Sequence, residues 1–247
     1  MSDIRHAPVV PTQTQQRASG EMIDRHRHDH HQFAYVSTGV VAVGTAAGAW
    51  VASADRGVWI PAGMWHEHRF YGASAFHAVA FPAGPAPLPA DAPTVVSVSP
   101  LLRELLMACT DPALSEVEKR RVRAVVNDQL RRASVKPITV PSARDPRLAE
   151  TCALVAADLS RPLSLAALAA RTGTSERTLA RLFRDEFGMT YPQWRNSLRV
   201  YHAMIALSEG ASVTETAHRC GWATPSAFID VFRRSMGQTP GAYQTHQ

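Results

Sequence analysis

The chain repeats itself, and that repeat constrains its fold more than any other feature. Ala169 stands four residues before Gly173, and Ala217 stands four before Gly221. Behind the first pair come Leu179, Phe183, Gly188 and Thr190; behind the second come Phe228, Phe232, Gly237 and Thr239, at the same spacing within each set. Such self-similarity is the mark of one supersecondary unit used twice. In each copy a small residue lets two helices approach closely and a glycine supplies a turn conformation that other residues adopt only under strain, the parts of a helix-turn-helix. The second helix starts at a capping residue: Ser175 in one copy, Thr224 followed by Pro225 in the other. Leu179, Leu182 and Phe183, like Phe228, Val231 and Phe232, fall three and four apart and bury one face. One such unit fits an ordinary helical bundle as well as a DNA reader; two matched units favour the reader.

The face left free carries Glu176, Arg177, Ala180, Arg181 and Arg184 in the first unit, and Pro225, Ser226, Ala227, Asp230, Arg233 and Arg234 in the second. Arginine reads guanine edges bidentately or clamps phosphate, and serine and the alanine methyl suit smaller contacts. The run Thr216, Ala217, His218, Arg219, Cys220, Gly221, Trp222, with Ser226, Phe228, Phe232, Arg233, Arg234, Gly237, Thr239, Pro240 and Tyr243, resembles the AraC/XylS family of transcription regulators over about 163–243. The resemblance implies a linker helix at about 191–208 that lets both recognition helices enter successive major grooves, about 34 Å apart. It also places the base-reading positions on Arg177, Ala180 and Arg181, and on Pro225, Ser226, Ala227 and Asp230. Ala180 and Asp230 are weak or repulsive toward DNA, so the first unit is expected to supply more of the direct readout.

The amino-terminal half has a different period. Phe33–Val36, Val40–Val43, Val58–Ile60 and Phe76–Phe81 are short apolar stretches separated by glycine-containing turns, which predicts a small barrel or sandwich. Pro82–Pro93 is rich in proline and alanine, so a domain edge is expected there. Helical spacing follows in Leu101, Leu102, Leu105 and Leu106 and again over Val117–Arg132, helices expected to pack on the barrel or to pair two chains. Lys136–Pro146 then reads as a linker. The expected fold is a two-domain chain: an N-terminal all-β, cupin-like (jelly-roll) barrel plus helices, and a C-terminal all-α domain with two helix-turn-helix units. The segments are 1–93 for the sensor domain, 94–146 for the helical dimerisation and linker region, and 147–247 for the DNA-binding domain.

His26, His28, His30 and His31 lie within six residues. In an extended chain alternate side chains share a side, so His26, His28 and His30 can converge on one ion. Pro61, Gly63 and His66 add a further histidine behind a turn. These two segments resemble the paired cupin motifs: two histidines one residue apart with a fourth-residue ligand beyond them, and PxGxxH. The ligand set that this resemblance implies is His26, His28, Gln32 and His66, with Gln32 where a metal-binding cupin usually has glutamate. The run Trp59–Gly63 also resembles the sensor domain of a subgroup of AraC regulators, some of which respond to metals. Three readings stay open: a divalent Ni, Zn, Co or Fe ion, an organic effector in the barrel, and a structural cluster. His30, His31, His68 and His77 read individually as surface or satisfied core histidines.

Charge and composition exclude several classes. Residues 1–100 hold 6 Lys and Arg against 7 Asp and Glu, 101–148 hold 10 against 6 and 149–247 hold 10 against 8, so the net +5 lies in the last three fifths, a small surplus that fits a polyanionic partner and an ordinary solvated surface equally well. Cys109, Cys152 and Cys220 are far apart and form no CxxC pair, which argues against a disulfide framework. No apolar run approaches the ~20 residues that span a bilayer, and no apolar targeting segment opens the sequence, so a cytoplasmic protein without membrane contact is expected. No acid and base set accompanies His66, and an enzyme would leave the repeat unexplained. The expected partners are double-stranded DNA, a small-molecule or metal effector and a second copy of the chain.

Overall fold

The computed structural model describes residues 4–9, 11–89, 91–135 and 139–245. It divides into two compact units, one within residues 1–137 and one over Ile138–Thr245.

The first unit consists of β1 (Arg5–His6), β2 (Gln13–Arg17), β3 (Met22–Arg27), β4 (His31–Thr45), β5 (Gly48–Ala52), β6 (Arg56–Ile60), β7 (His66–Phe81) and β8 (Thr94–Ser97), followed by α1 (Pro100–Cys109) and α2 (Glu116–Arg132). Its spine is the antiparallel pair of β4 and β7, in register from His31 opposite Phe81 to Gly44 opposite Glu67, with irregularities between Val36 and Val40. β7 also pairs with β2 and β3, and β4 with β5 and β6, while β8 extends the sheet from β6.

Strand alternation sends side chains to two faces, and β4 is buried on both. Val36, Val41, Val43, Trp50, Phe70 and Phe76 form one core. Phe33, Tyr35, Trp59, Val79 and Phe81 face the other way and pack with Leu102, Leu106, Val126 and Leu130 of the two helices. Ser99 caps α1 and a reciprocal Ser115–Glu118 capping box starts α2.

Two sequence expectations need correction. The stretches at 33–36 and 40–43 are one strand, because the irregularity between them bends the chain without ending its pairing. The proline-rich stretch at 82–93 is not an edge between units: its prolines bar helix and central strand, but the chain returns from it into the sheet as β8, and α1 and α2 complete the same unit.

The second unit opens with a short strand, β9 (Thr139–Pro141), where an all-α domain was expected, and is otherwise helical: α3 (Pro146–Ala157), α4 (Leu165–Arg171), α5 (Glu176–Phe187), α6 (Tyr191–Ser208), α7 (Val213–Arg219), α8 (Pro225–Met236) and α9 (Pro240–Thr245). Of the expected linker Lys136–Pro146, residues 136–138 lie outside the described residues, and Pro146 is already the first residue of α3, capped by Asp145. Leu148, Val155, Leu168, Leu179, Phe183 and Trp194 share one core. Ser175 caps α5 and Thr224 caps α8, while Gly188 and Gly237 end those helices in the left-handed conformation. No helix among the described residues is long and apolar enough to cross a membrane.

Candidate DNA interface and histidine centre

The two repeats become two helix pairs, α4 with α5 and α7 with α8. Each turns at a left-handed glycine, Gly173 at φ +61° and Gly221 at φ +81°. Leu179, Leu182 and Phe183 on α5 and Phe228 and Phe232 on α8 are buried, and Val231 is half-buried. The opposite faces are open: Glu176, Arg177, Arg181 and Arg184 on α5, and Ser226, Ala227, Asp230, Arg233 and Arg234 on α8 are exposed, with Ala180 and Pro225 half-buried.

The α5 face has two parts. Glu176, Ala180 and Arg184 border a recess of about 500 Å³ with Ser164, Thr190 and Tyr191, whereas Arg177 and Arg181 are not among its lining residues. Arg181 pairs with Asp185 at 3.3 Å and Arg233 with Asp230 at 3.6 Å, both solvent-exposed pairs within one helix. Such pairs are worth only tenths of a kcal/mol and yield readily to a phosphate or a base edge.

The histidines assemble around the pairing of β3 with β7, where His26 stands directly opposite His66. Their rings lie 4.3 Å apart, and the His28 ring is 4.8 Å and the His68 ring 5.1 Å from that of His66. All four are buried. Nδ1–H of His26 donates to Asp24 O (2.8 Å), that of His28 to His30 O (2.6 Å) and that of His66 to Met64 O (3.0 Å). A carbonyl oxygen only accepts, so each bond fixes the proton on Nδ1 and leaves Nε2 as a lone pair, the orientation that metal-binding histidines need. His66 Nε2 and both ring nitrogens of His68 are buried without a hydrogen-bond partner. His28 Nε2 lies within hydrogen-bond distance of the Gln32 carboxamide, at 3.2 Å.

One ligand atom each from His26, His66 and His68 lies within 4.8 Å of the others. Burial lowers the pKa of all four imidazoles, pushing that of His66 to about 3 with help from the neighbouring imidazoles, so the cluster is neutral at physiological pH. These orphaned, neutral and convergent donors fit a transition-metal ion.

His68 corrects the sequence reading, which placed it among ordinary core histidines. It follows His66 by two positions on β7, and period-two alternation puts both on one face. The other three conform to that reading. His30 turns outward toward Pro8 O, His31 accepts from the Ala62 N–H and stacks on Trp59, and His77 is held by Thr14 and Ser37. The outward turn of His30 breaks the expected one-sided row of His26, His28 and His30.

Comparison with known proteins agrees with both halves. A helix-turn-helix domain family matches residues 168–246 and a cupin domain family matches residues 14–82. The HTH-type transcriptional regulator NimR of Escherichia coli K12 is 28% identical over 224 residues, 88% of this chain and 81% of NimR. The HTH-type transcriptional activator RhaR of Klebsiella pneumoniae is 34% identical over 102 residues, 41% of this chain and 36% of RhaR. Among solved structures, the DNA-binding domain of AdpA in complex with a target DNA is 38% identical, covering 40% of this chain and 90% of that domain at a TM-score of 0.38. ToxT of Vibrio cholerae is 11% identical, with 95% of this chain and 96% of ToxT covered at a TM-score of 0.43.

Fold, repeat and relatives together define a DNA-binding transcription regulator rather than an enzyme. The chain joins an N-terminal cupin domain to a C-terminal pair of helix-turn-helix units, and the relatives it resembles are HTH-type transcription regulators.

Proposed function

We propose that this regulator reads a specific DNA sequence with both helix-turn-helix units and that a divalent transition-metal ion in the histidine centre controls the reading. Three imidazoles with Nδ1–H tied to backbone carbonyls, beside a fourth whose nitrogens have no partner, carry the metal part of this reading. His26, His66 and His68 would hold the ion, with His28 and Gln32 beside them. Neutral nitrogen donors suit Ni, Zn, Co or Fe and serve Mg or Ca poorly. The Phe70 and Phe76 rings, 6.4 Å and 5.1 Å from His68, fill the adjoining space and favour an ion over an organic effector. When bound, the ion supplies a local charge and a fixed link between β3 and β7. A ligand with different affinity for two arrangements of the protein shifts their populations.

On the DNA side, Arg177, Ala180 and Arg181 read bases in the first unit, and Pro225, Ser226, Ala227 and Asp230 in the second. Glu176, Arg184 and Arg233 flank them. We also infer that the protein acts in the cytoplasm as a homodimer, joined through the outer side of α1 and α2, where Leu101, Val117 and Val125 are exposed. The test is equilibrium dialysis of the purified chain against Ni or Zn, paired with operator binding in chelator. One ion per chain, absent from a His26→Ala, His66→Ala variant, supports the centre; no retained ion refutes it.

A further inference from the structure

The linker helix α6 carries two arginines four residues apart, Arg195 and Arg199, and both guanidinium groups end on backbone carbonyls. Arg195 Nη2 donates to Leu159 O at 3.2 Å and to Arg161 O at 2.9 Å, in the loop that leads from α3 into the first helix-turn-helix unit. Arg199 Nη2 donates to Gly221 O, in the turn of the second unit, and its guanidinium lies over the Trp222 ring, 5.2 Å from the centroid. The two carbonyl-bearing segments also touch: a Cβ built on Gly221 would stand 2.0 Å from Leu159 O and 2.8 Å from Arg199 Nη2. One helix thus grips the entrance of one unit and the turn of the other at the point where they meet.

The chemistry is costly for mere filling of space. Arg199 is buried, yet its side chain has a carbonyl and an aromatic face as partners, and Nε of both arginines is buried without a partner. Withdrawing a guanidinium from water without a carboxylate costs free energy that an apolar side chain of similar volume would not. What arginine supplies instead is a planar fork whose donors point in fixed directions. On α6 the Nη2 groups, that of Arg195 on Leu159 O and Arg161 O and that of Arg199 on Gly221 O, tie both turns to one helix and so fix the rotation and separation of the turns, and hence of α5 and α8.

We propose that Arg195 and Arg199 are positioning residues that lock the two reading helices at one separation, and so determine which spacing of half-sites on DNA the protein accepts. Neither residue belongs to the reading faces, so neither is required to recognise the sequence of a half-site.

The experiment uses the full chain and, as probe, the tightest-binding duplex it selects from a random DNA pool, together with derivatives carrying one to five extra base pairs between the half-sites. Five base pairs rotate one half-site by about half a turn of the duplex. The unaltered protein is expected to lose at least about 50-fold in affinity at that insertion, since one of two readers disengages. Arg199→Met is expected to bind the parent duplex several-fold more weakly but to lose less than about 5-fold across the series, flattening the spacing profile. Arg199→Lys keeps the charge without the fork and should leave the profile flattened. If Arg199→Met does not retain its helical circular dichroism, Arg195→Met carries the same comparison. A spacing profile identical to that of the unaltered protein, with affinity lowered by one common factor on every duplex, would show that the arginines serve stability alone and overturn the proposal.

Discussion

Gly173 and Gly221 occupy the same place in the two repeats, yet alanine at each is predicted to have different consequences. Both have positive φ, which costs an L-residue about 1–2 kcal/mol. Part of that is offset because alanine restricts the unfolded chain, by about 0.4–1 kcal/mol. At Gly173 nothing lies within 4 Å of the added Cβ, so Gly173→Ala should destabilise by about 1 kcal/mol or less. At Gly221 the Cβ would lie 2.0 Å from Leu159 O, against the roughly 3.3 Å at which carbon and carbonyl oxygen normally meet. That oxygen is backbone, held by Arg195, so it cannot swing aside as a flexible side chain would. The overlap should add about 1–3 kcal/mol in the manner of an overpacked core, for a total of about 2–4 kcal/mol. Urea unfolding of the full chain, followed by far-ultraviolet circular dichroism, measures both. Equal losses at the two glycines would refute the close approach of the second turn to Leu159.

Arg177→Ala and Arg181→Ala should each weaken operator binding by about 1–3 kcal/mol where the arginine reads a base, with site preference relaxed; fluorescence anisotropy showing unchanged affinity and preference in both would remove α5 as a reading helix. His68→Phe, accommodated beside Phe70 and Phe76, should weaken ion binding about tenfold or more, while Gln32→Glu should tighten it by supplying a carboxylate. Competition against a chelating dye gives both values, and an unchanged affinity in His68→Phe would exclude that residue as a ligand. The metal-free protein should lose stability as pH falls. His66 and His77 titrate at about 3 and about 4 when folded but near 6.5 when unfolded, so between these limits the unfolded chain binds more protons. Their contribution is present above about pH 6.5 and declines below it by about 1.4 kcal/mol per pH unit for each group. A urea midpoint that stays flat from pH 7 to about 4.5 would contradict their buried, neutral state.

What was legible in the sequence was what is local. The caps at Ser175 and Thr224, the glycines behind α5 and α8, and the three-and-four spacing of Leu179, Leu182 and Phe183 act within a few residues, so the repeat displays the helices directly. The expected linker helix coincides with α6 for the same reason, since Thr190 and Gln193 form its capping box. The sheet was only partly legible, because strand pairing is set at a distance. Gln13–Arg17 is polar and shows its strand character only beside β7. The cupin-like spacings pointed to His26, His28, Gln32 and His66, and the structure brings these together. His68 had a signal in its two-residue offset from His66, but its lack of a partner depends on Phe70 and Phe76 around it. The difference between Gly173 and Gly221 has no local signature, because Leu159 O reaches only one of them.

Coupling between the histidine centre and DNA is tested by one titration: the chain against its selected duplex, by fluorescence anisotropy, fully loaded with Ni or Zn and again after the ion is stripped. A coupling of about 1–3 kcal/mol, the usual range between linked sites, predicts dissociation constants that differ by about 5- to 150-fold. Superimposable curves from loaded and stripped protein would contradict it.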